Sequence, residues 1–505
     1  MLGPMPRLEA RWSGAEADTS LVQPRSDLVL ETEVAPGRFA QQEGPFSSYE
    51  RTVQAGDAGE VVETTTYRLI IPWFGWVFAL PTRRGLLRPP AHRPHGERQP
   101  WWAPPQRLDP RAAHVLGLLA AGQVIAGFCS TLFSQTVAFA ADEFGASEGA
   151  QGVAGSIIRL GIVFSVVLLA LTDRIGRRRI LVGCAIAAPI GAAAGALAPS
   201  FAALTVIQTL ARPLSLALAL VITIVAAEEM PPGSRAYAVS LLGLAYALGA
   251  GTCVWVLPLA DLGERGWRLV FAVGLVYLLV ARSLVRGVPE SRRYELPHAE
   301  HAPLPRRRFI LLGASAFLYN ILIAPTTFYE NRYLKDVRGY SATLIAVYTL
   351  VTATPGAIGI VVGGRLADVR GRRLVGTIAL LAVAVGNVIV FSATGSGLWL
   401  AKTITTILAA MAVPALGVYA AELFPTSRRG GANGGISALS IVGSIAGLLL
   451  AGALLDQGAT YGTVMAILAL GPLVYAALVV VAYPETARRS LDDINPEDRS
   501  VVKRS

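Results

Sequence analysis

Charge is scarce in this chain: Asp, Glu, Lys and Arg make up 15% of 505 residues, against 53% apolar ones. A soluble domain has no means of burying so much apolar surface, so a globular cytosolic enzyme or binding module is excluded and a polytopic membrane protein is implied. Cysteine is scarce too. Cys129, Cys184 and Cys253 all fall inside apolar runs at spacings that fit neither a disulfide framework nor a zinc site, which leaves them as small apolar fillers and gives no metal or other cofactor a home. A phosphate-cradling G-x-x-x-x-G-K-[ST] loop is missing, so ATP is not the direct energy source, and no catalytic cluster points to an enzyme. The net charge of +10 is spread over short clusters between apolar runs and reads as membrane topology, not as a nucleic-acid surface.

What the chain has in quantity is apolar segments long enough to cross about 30 Å of hydrocarbon as helix. Twelve run approximately over 112–138, 151–172, 180–198, 201–227, 236–260, 267–286, 309–329, 342–364, 374–394, 398–421, 433–455 and 461–483. Only a helix satisfies its own backbone in lipid, so the expected fold class is an all-α membrane protein with twelve transmembrane helices. Lys and Arg gather in the loops that share a side with the two ends of the chain, which places both termini in the cytoplasm and the protein in the plasma membrane. Residues 1–110 are polar, rich in Pro and Gly and without a signal-peptide pattern, and are expected to be partly disordered. Within them RLIIPWFGWVFALP, residues 68–81, suits a segment lying on the cytoplasmic membrane surface, while the alternation in GEVVETTTYRL equally suits a strand. A polar link over 287–308 divides the membrane region into a six-helix half at 111–286 and another at 309–484, with a cytoplasmic tail at 485–505.

The halves repeat one another. LTDRIGRRRIL at 171–181 returns as LADVRGRRLVG at 366–376, so that Asp173 and Asp368 lie 195 residues apart. PES at 289–291 and PET at 484–486 share that offset, and AEEMPPGSRA around Glu228 matches AELFPTSRRG around Glu422 at an offset of 194. Three motif pairs at offsets of 194 to 195 residues indicate a duplicated six-helix unit. With two such units around a substrate site near the bilayer midplane, the chain resembles a major facilitator superfamily transporter over roughly residues 110–490.

The resemblance extends to particular residues. Asp173, Arg174, Gly176, Arg177 and Arg178 match the family's loop between helices 2 and 3, with Leu169 in place of its first Gly; Asp368, Gly371, Arg372 and Arg373 match it in the second half, with Val369 where Arg or Lys is usual. An Asp at a helix end can accept hydrogen bonds from the N-terminus of a helix in the opposite half, and Arg forks can bridge carboxylates, so the cluster is expected to gate the cytoplasmic side. Fixing topology alone would not require Asp and Gly at set places twice. The nearest group is the sugar porters and organic-ion or metabolite carriers, whose cytoplasmic signatures resemble PESRRYE, PETARRSLDDI and the two E-x-x-P-x-x-x-R patterns. By that resemblance Glu228, Arg235, Glu290, Arg293, Glu422, Arg429 and Glu485 belong to the gating network; solvated loop charges are the alternative.

The expected cavity differs from that of sugar porters. Their glutamines in helices 5 and 7 and their Trp in helix 10 have no counterpart, and Cys129 stands where proton symporters hold an Asp. Inside the spans the charges are cationic: Arg212 in helix 4, Arg159 in helix 2 and Lys402 in helix 10, with no Asp or Glu expected deep in any span. A buried cation costs about 2.5–3.5 kcal/mol on insertion scales and needs a partner, for which an anionic substrate is one candidate. Gln123, Tyr246, Tyr319 and Asn320 complete the expected substrate-binding set. The function expected is a secondary active or facilitated transporter, a monomer in the lipid bilayer, moving a small-molecule substrate such as an organic anion by alternating access, with or without a coupling ion. A transporter-like sensor or scaffold, and a sugar/proton symporter, are the alternatives. If the aspartates gate, Asp173→Asn leaves membrane abundance unchanged but slows solute flux in proteoliposomes strongly, and Asp368→Asn slows it less because Val369 leaves its cluster incomplete; equal, near-parental flux in both would leave the clusters a topological role only.

Overall fold

The computed structural model describes residues 6–12, 23–55, 60–88, 103–104, 106–231, 234–290, 305–424 and 429–486. All twelve expected segments are helices long and apolar enough to cross a membrane: Pro110–Phe144, Glu148–Leu169, Arg177–Leu197, Phe201–Ala226, Tyr237–Leu262, Gly266–Gly287, Arg306–Asp336, Ala342–Ala367, Arg372–Val390, Gly395–Leu416, Ala432–Asp456 and Tyr461–Ala482. They are numbered spans 1 to 12 below. Span 7 continues seven residues beyond its expected end at 329, because Glu330, Arg332 and Lys335 find partners along the bundle and the helix need not stop where the charges begin.

Glycine sets how closely the spans approach. A Cβ on Gly127 would come within 2.0 Å of the Tyr246 carbonyl oxygen and one on Gly249 within 2.1 Å of that of Val124, so spans 1 and 5 meet backbone to backbone. Spans 7 and 11 meet in the same way in the second half, through Gly443 against Phe317 and Gly447 against Ile321. Lipid offers no hydrophobic force between helices, so this close van der Waals contact is a main source of their association.

Before the spans, the expectation of disorder fails over the described parts of residues 1–88. Five antiparallel strands, β1 (Arg7–Trp12), β2 (Leu30–Ala35), β3 (Arg38–Glu43), β4 (Phe46–Ala55) and β5 (Val61–Leu69), form one sheet in the order β1-β5-β4-β3-β2, followed by helix α1 (Gly75–Leu86). Over residues 60–81 the strand reading holds as far as Leu69, and a helix with Trp76, Val77 and Leu80 exposed follows. One sheet face buries Glu63, Thr65 and Tyr67 from β5 with Tyr49 and Arg51 from β4. Arg51 grips Glu31 through Nη2 at 2.7 Å and Nε at 2.9 Å, Tyr49 donates to Glu31 at 2.6 Å, and the Trp12 indole donates to Glu63 at 3.1 Å. Burial pushes the Glu63 carboxyl above its ordinary range even with Arg25 and Arg51 nearby. Arg25, fully buried, donates to the carbonyls of Leu86, Gly85 and Arg88 at 3.3, 3.4 and 3.0 Å, which satisfies the C-terminal carbonyls of α1 and locks that helix to the sheet.

The sheet is fastened to the first six-helix half. Arg107 donates to the carbonyls of Ser26 and Asp27, the backbone of Gln106 exchanges hydrogen bonds with the Ser234 hydroxyl at 2.9 and 2.6 Å, and Trp73 Nε1 donates to Ser283 of span 6 at 2.9 Å.

Candidate functional site

At the arginine-rich end the repeated motifs build the same joint twice. Gly176 has φ +107° and Gly371 has φ +101°, a region that disfavours any side chain, and each ends one span just before the next begins. Glu290 accepts from the Arg178 backbone N–H at 3.0 Å; Glu485 accepts from Arg372 and Arg373 N–H at 3.1 and 3.2 Å. A Cβ on Gly176 or Gly371 would stand 3.0 or 2.8 Å from those carboxylates. Each Glu thus seats its charge on the N-terminus of span 3 or span 9, where the helix dipole and unpaired N–H groups favour an anion. Arg178 then donates to the carbonyls of Val288 and Val285 at 2.7 and 2.8 Å, Arg372 to Thr486 at 2.8 Å and Arg373 to the Val480 carbonyl, while Arg177 pairs with Glu228. These bonds are all internal to one half. Arg293, most of the 287–308 link and the tail beyond residue 486 lie outside the described residues, as do the side chains of Asp173, Arg174, Arg235, Asp368, Glu422 and Arg429.

At the opposite end the two halves are joined. Asp261, closing span 5, accepts from Ala342 N–H at 2.7 Å, Thr343 N–H at 2.8 Å and the Thr343 hydroxyl at 2.7 Å, all at the start of span 8. Asp456, closing span 11, accepts from Gly149 N–H at 2.8 Å and the Ser147 hydroxyl at 3.3 Å, at the start of span 2. The two aspartates stand 195 residues apart, the same offset as the arginine-rich motifs. Each half therefore presents one carboxylate to a helix N-terminus of the other. The sequence reading missed both, although their shared offset was there to be counted. Around them Arg332 of span 7 pairs with Asp142 of span 1, Lys335 pairs with the same Asp142, Tyr329 donates to the Glu148 carbonyl at 2.8 Å, and Asn331 donates to Gln135 at 2.8 and 2.9 Å. Spans 2 and 11 can come this close because Gly149 and Gly152 face Gly452, with a Cβ on Gly452 only 3.0 Å from the Gly149 Cα. Among the described residues the hydrogen bonds and ion pairs between halves lie at this end or, for Ser156 to Ile445 at 3.5 Å, nearer mid-helix.

Between these ends the structure gathers some of the expected substrate contacts and disperses others. Spans 2 and 4 cross where Gly161 lies against Thr209, with 2.7 Å from a Gly161 Cβ position to the Thr209 carbonyl oxygen. Pro213 has no N–H to bond that carbonyl. This crossing brings Arg159 and Arg212 close enough to repel one another, and places Tyr246 of span 5 within electrostatic reach of Arg212. Arg159 Nη1 is buried without a hydrogen-bond partner, and among the described residues neither arginine has an ion pair. Gln123 instead ties span 1 to span 4, donating to the Ala219 carbonyl at 3.0 Å. Asn320 donates to the Ala316 carbonyl at 3.0 Å and lies 3.5 Å from the Ser444 hydroxyl, while Tyr319 packs edge-on to Tyr475 with centroids 6.4 Å apart. Lys402 forms an ion pair with Glu330 of span 7 at 2.5 Å. Glu330 lies just past the expected end of span 7, in the last two turns of the helix and not deep in the span. Cys129 lies near Cys253 and Tyr277, on the span 5 and span 6 side. Its neighbour Ser130 bonds Ser215 at 3.0 Å, and Ser215 in turn donates to the Arg212 carbonyl at 2.8 Å.

The model of the Major Facilitator Superfamily matches residues 119–401 and 311–504. This chain belongs to that superfamily. It is a transporter of small solutes with the superfamily's fold. The inward-open xylose transporter XylE from E. coli superposes with a TM-score of 0.63 at 18% identity, over 76% of this chain and 99% of that one. A bacterial homologue of the human lysosomal transporter Spinster, inward-facing and occupied, gives 0.60 at 16% identity over 74% and 97%, and the nucleoside transporter NupG gives 0.60 at 13% over 73% and 100%.

Charge-assisted hydrogen bonds to an anchored carboxylate are worth about 1.5–3 kcal/mol each, so the double variant Asp261→Asn/Asp456→Asn should open this end of the bundle markedly. A Ser156→Cys reporter is expected to react with an impermeant maleimide applied from that side about tenfold faster or more in the double variant than in the parent. Unchanged reactivity would show that the aspartates do not hold the halves together.

Proposed function

We propose that the protein is a secondary transporter of a small organic anion that works by alternating access, with both termini in the cytoplasm. The observation that carries the substrate class is the Arg159–Arg212 pair, two cations on adjoining spans within electrostatic reach of one another, with no carboxylate paired to them among the described residues. Like charges desolvated together are costly, and an anion bound between them relieves both the repulsion and the unmet hydrogen bonds. Arg offers a planar fork matched to a carboxylate, and Tyr246, within electrostatic reach of Arg212, carries a hydroxyl that can donate as well.

The joined end of the bundle supports alternating access. With the arginine-rich loops on the cytoplasmic side, as the positive-inside rule places them, the end joined by Asp261 and Asp456 faces outward, and the conformation is closed to the exterior. A transport cycle then breaks these caps and joins the halves at the arginine-rich end. The bonds internal to each half, such as Glu290 and Glu485 on their helix N-termini, move with their halves as rigid units.

Purified full-length protein in proteoliposomes is expected to take up or exchange small mono- and dicarboxylates in preference to neutral sugars and organic cations. Arg212→Ala should abolish that flux, Arg159→Ala should lower it at least about tenfold, a loss of about 1.4 kcal/mol in binding, and Cys129→Ser should leave it near the parent because the buried thiol is a small apolar filler that carries no charge for the substrate to meet. Flux of a neutral sugar that survives Arg212→Ala would overturn the anion reading, and signalling without flux of any solute would overturn the transporter reading.

A further inference from the structure

Where the sheet meets the spans, they enclose an apolar groove of about 290 Å³ between α1, the sheet edge and spans 1 and 5. Its floor is a single stripe of span 5: Tyr237, Leu241, Leu244, Ala245 and Leu248 recur at helical spacing on one face. Leu116 and Ala120 of span 1 form the adjoining wall, and Phe74, Val77 and Phe78 from the start of α1 cover them. This is the outer, lipid-facing side of the bundle, because Leu244 and Leu248 remain 69% and 40% exposed despite the cover.

We propose that this groove holds one acyl chain of an anionic phospholipid from the leaflet at the arginine-rich end. Three observations select that occupant. The first is length: eleven residues separate Tyr237 from Leu248, which at 1.5 Å per residue makes the stripe about 16 Å long. Half of a hydrocarbon core about 30 Å thick is close to this, so the groove takes a chain that enters at the interface and ends near the midplane. The second is what lies beside it. Trp73, Trp76 and Leu80 are exposed next to the groove, and an exposed Trp pair with an aliphatic neighbour belongs at the level of lipid headgroups. The third is charge. Arg83 and Arg84 are exposed in the last turn of α1 with Arg88 just beyond, and Arg107 lines the groove itself with its guanidinium tied to the carbonyls of Ser26 and Asp27. Arginines at the headgroup level attract a negatively charged lipid.

The roof separates this site from ordinary boundary lipid. A chain lying against span 4, where Val206 and Leu210 are 59% and 66% exposed, has protein on one side only, whereas in the groove α1 and the sheet cover it as well. The roof is held by Arg25 at the C-terminus of α1 and by Trp73 on Ser283. A bound chain therefore bridges the extramembrane sheet to spans 1 and 5, and so reports the state of the leaflet to the half that carries Arg159 and Arg212.

The test uses the full chain reconstituted in phosphatidylcholine vesicles with a trace of phosphatidylglycerol bearing a diazirine near the end of one acyl chain. After irradiation, cross-links mapped by mass spectrometry should fall on Leu241–Leu248 and Leu116–Ala120 at least about fivefold more often than on Val206–Leu210, a preference of about 1 kcal/mol. Unlabelled phosphatidylglycerol should compete and unlabelled phosphatidylcholine should not, and Arg83→Gln with Arg84→Gln should remove that distinction. Leu244→Trp, which fills the groove from an exposed position, should lower labelling there while labelling at Val206–Leu210 stays constant, which also shows that the variant is folded. Equal labelling of both surfaces, or labelling indifferent to Leu244→Trp, would overturn the site. Equal competition by phosphatidylcholine would overturn the headgroup assignment, and stronger competition by free palmitate than by phosphatidylglycerol would overturn the phospholipid as its source.

Discussion

Carboxylates seated on helix N-termini organise this bundle at both ends. Glu290 and Glu485 each cap a span of their own half, and Asp261 and Asp456 each cap a span of the other. The physics is the same in all four places: a helix start leaves N–H groups unpaired beside the positive end of a dipole, and a fixed carboxylate answers both. The difference lies in whose helix is capped. Caps within a half make it rigid, and caps between halves can be made and broken without unfolding anything. An inter-half cap also asks little of the neighbouring residues beyond space, which is why Gly149, Gly152 and Gly452 gather at the crossing of spans 2 and 11.

How much of this could be read beforehand follows from which constraints are one-dimensional. The thickness of the hydrocarbon fixes the length of an apolar run, so all twelve spans were legible. The duplication was legible through its constant offset, and the same counting would have paired Asp261 with Asp456 had single acidic residues been compared as well as motifs. Of the five-stranded sheet only β5 showed, through the alternation in GEVVETTTYRL; the rest was hidden because its buried face carries charged and polar residues such as Arg51, which pairs with Glu31, and Glu63, near Arg25, in place of apolar ones. Lys402 was legible as a buried cation but its partner Glu330 was not, since the charges of span 7 argued for an early helix end.

The proposed substrate contacts were the least legible. Arg159, Arg212 and Tyr246 come within electrostatic reach of one another where spans 2 and 4 cross at Gly161 and Thr209, which no single-span pattern reveals. Along span 1 a step of one residue turns a side chain by about 100°, enough to separate the surroundings of Cys129 from those of Ser130, which meets Ser215. The extramembrane sheet adds a second level of organisation: its described bonds to the spans run to the first half, the half that holds the arginine pair.

The central claim is that the two ends of the bundle close in alternation. Distances measured by pulsed electron resonance between spin labels at Glu264 and Val337 report the aspartate-capped end, and between labels at Arg179 and Arg370 the arginine-rich end; all four positions are exposed, and each pair spans the two halves. Across solute and pH conditions, the account predicts that the first distance lengthens as the second shortens. Two distances that rise and fall together, or that stay fixed while the reconstituted protein transports solute, would contradict it.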